Sequence, residues 1–369
     1  MLAILPDGWF AGQHTAALVV LALICLAVVI KGADGLVEAA AGIAYRAGLP
    51  KVIVGATIVS LGTTSPEAAV SVLAAWGGNA GLALGNGVGS IIADTGLIFG
   101  VGCLIAALPA DRFVLNRQGW VQLGSAVLLA VIAYSAWAWQ GEAAQLERWV
   151  GVLMVTLLVA YLAISVRWSK QHPYGEPGMP IDTDPVADEV ATVPPEQEVT
   201  TGRSLPVLLM LGGIGLAMVI LGGDALVSSV SVITIRWGVP EVVVASTLVA
   251  MGTSLPELMV AITSIRKGHP ELLVGNVIGA DVLNVLFVIG ASALAKPLPL
   301  IETQIETPAP AIFLWLHLPT MLAVLVLMRL FIFQAVRKGS FSRWMGAPLV
   351  AMYVAFIALQ YYFSLPRGG

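Results

Sequence analysis

Long apolar stretches separated by short polar loops recur along this chain, each near the ~20 residues a helix needs to cross the hydrocarbon of a bilayer. They predict ten membrane-spanning helices at about residues 14–45, 51–76, 82–108, 120–140, 147–167, 204–235, 241–265, 272–295, 309–334 and 343–364. The first and sixth exceed the hydrocarbon thickness, so they are expected to tilt or to continue beyond it. One sizeable polar segment, 169–203, carries Pro173, Pro177, Pro180, Pro185, Pro194 and Pro195 among a run of acids and reads as an irregular linker. It separates two halves of five spans each, 1–168 and 204–369.

Composition agrees with this pattern and narrows it. With 58% hydrophobic and 11% charged residues, the chain lies far from the roughly one-quarter charged content of soluble domains. The fold class expected is therefore an all-α integral membrane protein, in contact with the lipid bilayer. A net charge of −4 gives no cationic patch for nucleic acid. Cys25 and Cys103 both fall in apolar stretches, where a core role is the expectation. Residues 15–31 lack a positive leader and a small-residue cleavage site, so they read as a retained first span. Arg46, Lys51, Arg112, Arg117, Arg167, Lys170, Arg203, Arg266, Lys267, Arg337, Lys338 and Arg343 all fall on one side of the predicted spans. Excess Lys and Arg mark the cytoplasmic face, so both termini are expected outside and the linker inside.

The two halves are related to each other. A shift of 190 residues carries Gly32, Asp34, Leu36, Val37, Arg46, Pro50 and Val52 onto Gly222, Asp224, Leu226, Val227, Arg236, Pro240 and Val242. The same shift sets GTTSPE, residues 62–67, on GTSLPE, residues 252–257, and LGNGVGSIIAD, 84–94, on VGNVIGADVLN, 274–284. Similar apolar helices align leucines by chance, but not Gly-Thr, Pro-Glu and Gly-Asn in order. Because each half has an odd number of spans, the second copy enters from the opposite face. Inverted repeats interrupted by Gly and Pro at matching positions point to a transporter with its substrate near the midplane.

The GTTSPE stretch explains how such a site is built. Pro66 has no N–H and clashes with the preceding turn, so a helix arriving from Val52 should stop or kink between Gly62 and Ser65. A new half-helix can then begin with Ser65 as N-cap, Pro66 as its first residue and Glu67 at the favourable end of its dipole. Freed carbonyls, the Thr63 and Thr64 hydroxyls and the Glu67 carboxylate converge there, and these are hard oxygen ligands suited to Na⁺ and Ca²⁺. Thr253, Ser254, Pro256 and Glu257 repeat the set, with Leu255 in place of Ser65. In the following spans, Asn86 and Asn276 lie beside the matched pairs Gly85/Gly89 and Gly275/Gly279, and Asp94 and Asn284 come five residues after the second glycine. Buried charge is costly in a membrane, so Glu67, Glu257 and Asp94 are expected to bind ions. Asp34 and Asp224, in matched turns, read more readily as packing or capping acids.

Other chemistry finds no support. The four histidines are scattered without HExxH spacing, there is no GxGxxG or GxxxxGK[ST] for nucleotide binding, and GTTSP is not a nucleophile elbow. An enzyme is not expected, nor a cofactor. Trp120, Trp168, Trp237 and Trp344 lie near span ends, as interface anchors do.

The paired GT[ST]-x-PE and GN-xx-G[SA] segments resemble the cation/calcium exchanger superfamily, and within it the prokaryotic sodium/calcium exchanger branch. The resemblance covers both membrane halves. It implies ten helices in two inverted five-helix repeats, with discontinuous helices at the ion site and two long helices, the first and sixth, sliding against a core of eight. It implies Ca²⁺ export in exchange for Na⁺, commonly one for three, without ATP. On the matching positions, Glu67 and Glu257 would be the central ligands, Thr63, Thr64, Thr253 and Ser254 would add oxygens, and Ser90, Asp94 and Asn284 would line flanking sites. The chain departs from the superfamily pattern in two places. Ala280 lacks the hydroxyl of Ser90, with the extra acid Asp281 beside it, and Asp94 and Asn284 exchange the usual order of Asn first and Asp second. Coupling to H⁺ or K⁺ is the alternative within transport, and a non-transporting scaffold or sensor is the alternative outside it. A monomer is the working expectation.

Overall fold

Each apolar run that falls within the described residues is helical. The structure, a computed structural model, describes residues 7–47, 51–171, 203–237, 254–301 and 312–364. Most of the predicted linker, and the first part of the predicted seventh span, lie outside them.

After a short turn at Asp7–Gly12, α1 spans Thr15–Ala47. A broken pair follows, α2 Lys51–Thr63 and α3 Ser65–Gly77, bent by 42°. Then come α4 Ala80–Ile105, α5 Arg112–Gln140 and α6 Arg148–Gln171. The second half contains α7 Leu205–Arg236, α8 Leu255–Arg266, α9 Pro270–Ala295, α10 Phe313–Lys338 and α11 Gly346–Ser364. Among the described residues eight helices are long and apolar enough to cross a membrane, or nine with the bent pair taken as one span. The fold is thus all-α and multi-pass.

Local chemistry sets the helix ends. Gly78 takes the left-handed conformation at φ 89° that ends α3, and the Asn79 side chain accepts from Leu82 N–H at 2.9 Å to start α4. Asp111 Oδ1 accepts from Val114 N–H at 2.8 Å, which starts α5 about two turns before the predicted residue 120. This moves Trp120 inside the helix. There it is half exposed and packs beside Arg329 of α10, whose guanidinium carbon lies 4.2 Å from its ring centroid and 4.5 Å from that of Phe333. A buried arginine on an apolar helix is thereby placed against π faces.

The packing separates a centre from a periphery. In α9 the most apolar stretch is 94% buried, and residues 272–283 are buried without exception. In α1 and α7 the corresponding values are 28% and 22%. Their outer faces carry exposed Val20, Leu23 and Ile24, and Leu209, Met210 and Ile214, as lipid-facing helices do. α1 and α7 meet through glycine: a Cβ on Gly215 would stand 2.6 Å from Gly32 O and 2.8 Å from Leu36 N. α9 meets α2 more tightly still, since a Cβ on Gly275 or Gly279 would collide with the carbonyl oxygen of Val52 or Ala56. Such contacts let membrane helices approach backbone to backbone.

Two small antiparallel pairs tie the loops at the helix ends. Leu108–Pro109 pairs with Ser340–Phe341, and Gln145–Leu146 pairs with Leu298–Pro299. Cys25 and Cys103 are buried free thiols, as their apolar surroundings suggested.

Candidate cation site

The bend between α2 and α3 falls at Thr64, whose backbone (φ −82°, ψ −5°) leaves the regular helix. Pro66 follows near the start of α3 and offers no N–H to the carbonyl of Gly62. Ser65 does not cap this half-helix. It is the first helical residue, and its hydroxyl donates to Leu61 O at 2.6 Å, satisfying a carbonyl beside the break. The cap position belongs to Thr64, which uses no side-chain cap bond. Its hydroxyl is instead turned across the molecule and donates to Glu257 Oε1 at 3.4 Å.

α8 starts in the same way, with Ser254 at its cap position, Pro256 in its first turn and Glu257 after it. Thr253, expected beside Ser254, lies outside the described residues. Thr63 Oγ1 faces Asn276 Oδ1 of α9 at 3.3 Å and Ser60 O at 3.3 Å. Asn86 of α4 donates to the backbone carbonyl of Glu67 at 3.2 Å and to Ser71 Oγ at 2.9 Å, so it braces the half-helix that carries the glutamate.

The next pair of expected residues lies in two irregular turns. Asp94 is in the π-helical turn Ala93–Phe99 of α4, and Asn284 opens the π-helical turn Asn284–Ile289 of α9. Such turns shift the register of a helix and recur at functional sites. Here they bring the two side chains together, with Asn284 Nδ2 donating to Asp94 Oδ2 at 3.3 Å.

Glu67, Asp94, Glu257 and Asp281 are each 1% exposed. Both carboxylate oxygens of Glu67 lack a hydrogen-bond partner among the described residues, as do Asp94 Oδ1, Glu257 Oε2, Asp281 Oδ1 and Asn284 Oδ1. None of the four acids has a Lys or Arg partner there. They are within electrostatic reach of one another: Glu67 with Glu257 and Asp94, and Asp94 with Glu257 and Asp281. Buried, mutually repelling carboxylates without a cationic partner leave a strong demand for positive charge. Yet no three His, Cys, Asp or Glu side chains among the described residues form a metal cluster by themselves. An ion held here therefore needs the Thr, Ser, Asn and backbone oxygens as well as the acids. Ser90 and Ser254 are buried, each 5% exposed.

Three partners were not legible in the sequence. Thr95 Oγ1 donates to Asp281 Oδ2, Gln122 Nε2 donates to the same oxygen at 2.6 Å, and Ser60 supplies the carbonyl that Thr63 meets. Gln122 belongs to a buried polar file on α5, with Gln118 and Ser125, spaced three and four residues apart on one helix face. Asp34 lies elsewhere, at the side of α1, where Lys267 Nζ donates to its backbone carbonyl at 2.9 Å and stands 4.0 Å from its carboxylate. These are contacts that a packing acid makes.

The chain matches the family described as "Sodium/calcium exchanger protein" over residues 17–167 and 207–362. The sodium/calcium exchanger MaX1 of Methanosarcina acetivorans is 29% identical over 355 residues, covering 92% of this chain and 97% of that one. The inner membrane protein YrbG of Escherichia coli is 31% identical over 277 residues, covering 75% of this chain and 79% of its own. Among solved structures, the sodium-calcium exchanger NCX_Mj soaked with 100 mM Na⁺ and 10 mM Sr²⁺ has 25% identity and a TM-score of 0.73, covering 96% of this chain and all of that one.

Proposed function

The chain belongs to the sodium/calcium exchanger protein family, and from that premise we propose that it moves Ca²⁺ out of the cell in exchange for Na⁺ by alternating access. The observation that carries the reading is the contact of Thr64 with Glu257, since it joins the two Pro-broken helix starts across 193 residues of sequence.

Ca²⁺ takes six to eight oxygens at about 2.3–2.6 Å. Glu67 offers both carboxylate oxygens and Glu257 offers Oε2, each without a donor among the described residues. Thr63, Thr64, Thr253 and Ser254 would add hydroxyl or carbonyl oxygens, and Ser90, Asp94 and Asn284 would hold flanking Na⁺, with Asn86 bracing the Glu67 backbone and Asn276 accepting from the Thr63 hydroxyl. Na⁺ and Ca²⁺ then compete for the same acids, so a full load of one excludes the other. Loading neutralises the buried charge, and only loaded forms cross readily between faces. This makes the protein an exchanger rather than a channel.

The architecture that suits this cycle has ten spans as two inverted five-helix repeats, with the termini outside and the linker at 169–203 in the cytoplasm. The 190-residue repeat and the one-sided Lys and Arg loops support it. α1 and α7, peripheral and joined by glycines, are suited to slide against the rest. An exchange of three Na⁺ for one Ca²⁺ moves one net charge, worth about 2.3 kcal/mol per 100 mV. Purified protein in sealed vesicles loaded with Na⁺ tests the function: outward Na⁺ flow should drive ⁴⁵Ca²⁺ uptake, and equal uptake without the gradient would refute the exchange.

A further inference from the structure

The Asp281 carboxylate has no counterpart in the duplication. The 190-residue shift puts Ile91 opposite Asp281 and Ser90 opposite Ala280, so one half of the chain has lost a hydroxyl and gained an acid at the next position. That acid points into the centre of the fold. It is 1% exposed, and its Oδ2 is occupied by Thr95 of α4 and by Gln122 of α5.

Asp281 and Asn284 stand three residues apart on α9, and hence on one face of the helix. Thr95 and Asp94 are neighbours on α4. The two helices are therefore bridged twice, by Thr95 to Asp281 and by Asn284 to Asp94, and between the bridges Asp94 and Asp281 lie within electrostatic reach of each other. Three oxygens of this group are left without a donor among the described residues: Asp94 Oδ1, Asp281 Oδ1 and Asn284 Oδ1. The amide oxygen is the independent sign of a ligand, because a neutral buried acceptor beside two acids gains nothing from their charge and is satisfied only by a donor or a cation.

We propose that Asp281, the acid without a counterpart in the repeat, is an added ligand of the flanking Na⁺ position at Asp94 and Asn284, apart from the Glu67–Glu257 pair. The inference deepens the antiporter reading and takes the identity of the ion from it. Coordination distinguishes the two places. Glu67 has both oxygens available and can clasp a divalent ion, whereas Asp94 and Asp281 each have Oδ2 occupied by a donor and present one oxygen apiece. A set of single oxygens suits a monovalent ion better than Ca²⁺, which draws on many oxygens and often on bidentate carboxylates. Gln122 and Thr95 are positioning residues, since their donors fix which oxygen of Asp281 faces the ion.

The test uses the full-length protein in nanodiscs. Na⁺ binding is measured by calorimetric titration of NaCl against choline chloride at constant ionic strength, and ⁴⁵Ca²⁺ binding is measured with and without Na⁺. Asp281→Asn is expected to lose one Na⁺ equivalent and to raise the Na⁺ concentration that half-displaces ⁴⁵Ca²⁺ by about fivefold or more, with Ca²⁺ affinity in Na⁺-free buffer within about threefold of wild type. An unchanged Na⁺ count and half-displacement would overturn the proposal. So would a Ca²⁺ affinity that falls as far as the Na⁺ affinity, which would place Asp281 in the shared site. If Asp281→Asn does not fold, Gln122→Leu and Thr95→Val retain the carboxylate and should shift half-displacement in the same direction by about twofold; no shift in either overturns the proposal. Failure of the antiporter reading looks different, since wild-type protein would then show no Na⁺–⁴⁵Ca²⁺ competition at all.

Discussion

Asn284 donates its side-chain N–H to Asp94 Oδ2 across 3.3 Å, and these two residues occupy the same place in the two halves of the chain, 190 positions apart. One acid and one amide therefore share a bridge in which either partner could carry the charge. Asp94→Asn should lower Na⁺-driven ⁴⁵Ca²⁺ flux by about tenfold or more, while the exchange variant Asp94→Asn/Asn284→Asp should recover to within about threefold of wild type. A double variant no better than the single would mean that the position of the charge matters, and not only its presence.

Glu67 and Glu257 are buried acids without cationic partners among the described residues, so in the proposed site they would destabilise the ion-free protein and stabilise the loaded one. In ion-free buffer Glu67→Gln or Glu257→Gln should melt at or above the wild-type temperature. The wild type at a Ca²⁺ concentration of 100 times Kd gains about 2.7 kcal/mol, and both variants should lose that gain together with transport. A variant that melts well below wild type in ion-free buffer would contradict the account of the charge.

Much of this site could be read from the sequence because Gly, Pro and Glu have few reasons to recur in order inside apolar runs. Gly62, Pro66 and Glu67 announced a break, and the bend between α2 and α3 falls there. Side-chain direction was less legible. Ser65 has the composition of a cap, yet the freed carbonyl of Leu61 takes its hydroxyl, and Thr64 reaches Glu257 instead. The π-helical turns at Asp94 and Asn284 have no residue signature, although they decide which way those side chains face. Gln122 and Thr95 were missed because an isolated polar residue in a span gains meaning only from its neighbour on another helix. The start of α5 was placed late because Arg112 and Arg117 read as loop charges, whereas Asp111 caps the helix before both.

Close backbone contact of α9 with α2 depends on Gly279. A methyl group there would meet the Ala56 carbonyl and stand 2.6 Å from Ser60 Oγ. Gly279→Ala should therefore cost about 1–3 kcal/mol of stability by overpacking. Gly213, inside α7 with nothing among the described residues within 4 Å of an added Cβ, is the control, and Gly213→Ala should stabilise by up to about 1 kcal/mol through helix propensity. Equal thermal shifts for the two variants would argue against the packing described.

Asp34 is tied to Lys267 at the side of α1, with Glu38 3.9 Å from the same ammonium and 3.0 Å from Arg203. These side chains are about a third exposed, and such pairs contribute under about 1 kcal/mol. Asp34→Asn should keep Na⁺-driven flux within about twofold of wild type and lower stability by less than about 1 kcal/mol. Loss of flux at unchanged stability would make Asp34 part of the ion path.

In the proposed exchange, Na⁺ and Ca²⁺ share Glu67 and Glu257 and pass through them in turn. Its most direct test is ⁴⁵Ca²⁺ uptake into proteoliposomes driven in turn by outward gradients of Na⁺, K⁺ and H⁺, for the wild type and for Glu67→Gln and Glu257→Gln. Uptake is expected with the Na⁺ gradient alone and should be abolished in both variants. Uptake driven by the H⁺ gradient without Na⁺, or wild-type uptake in both variants, would contradict this exchange.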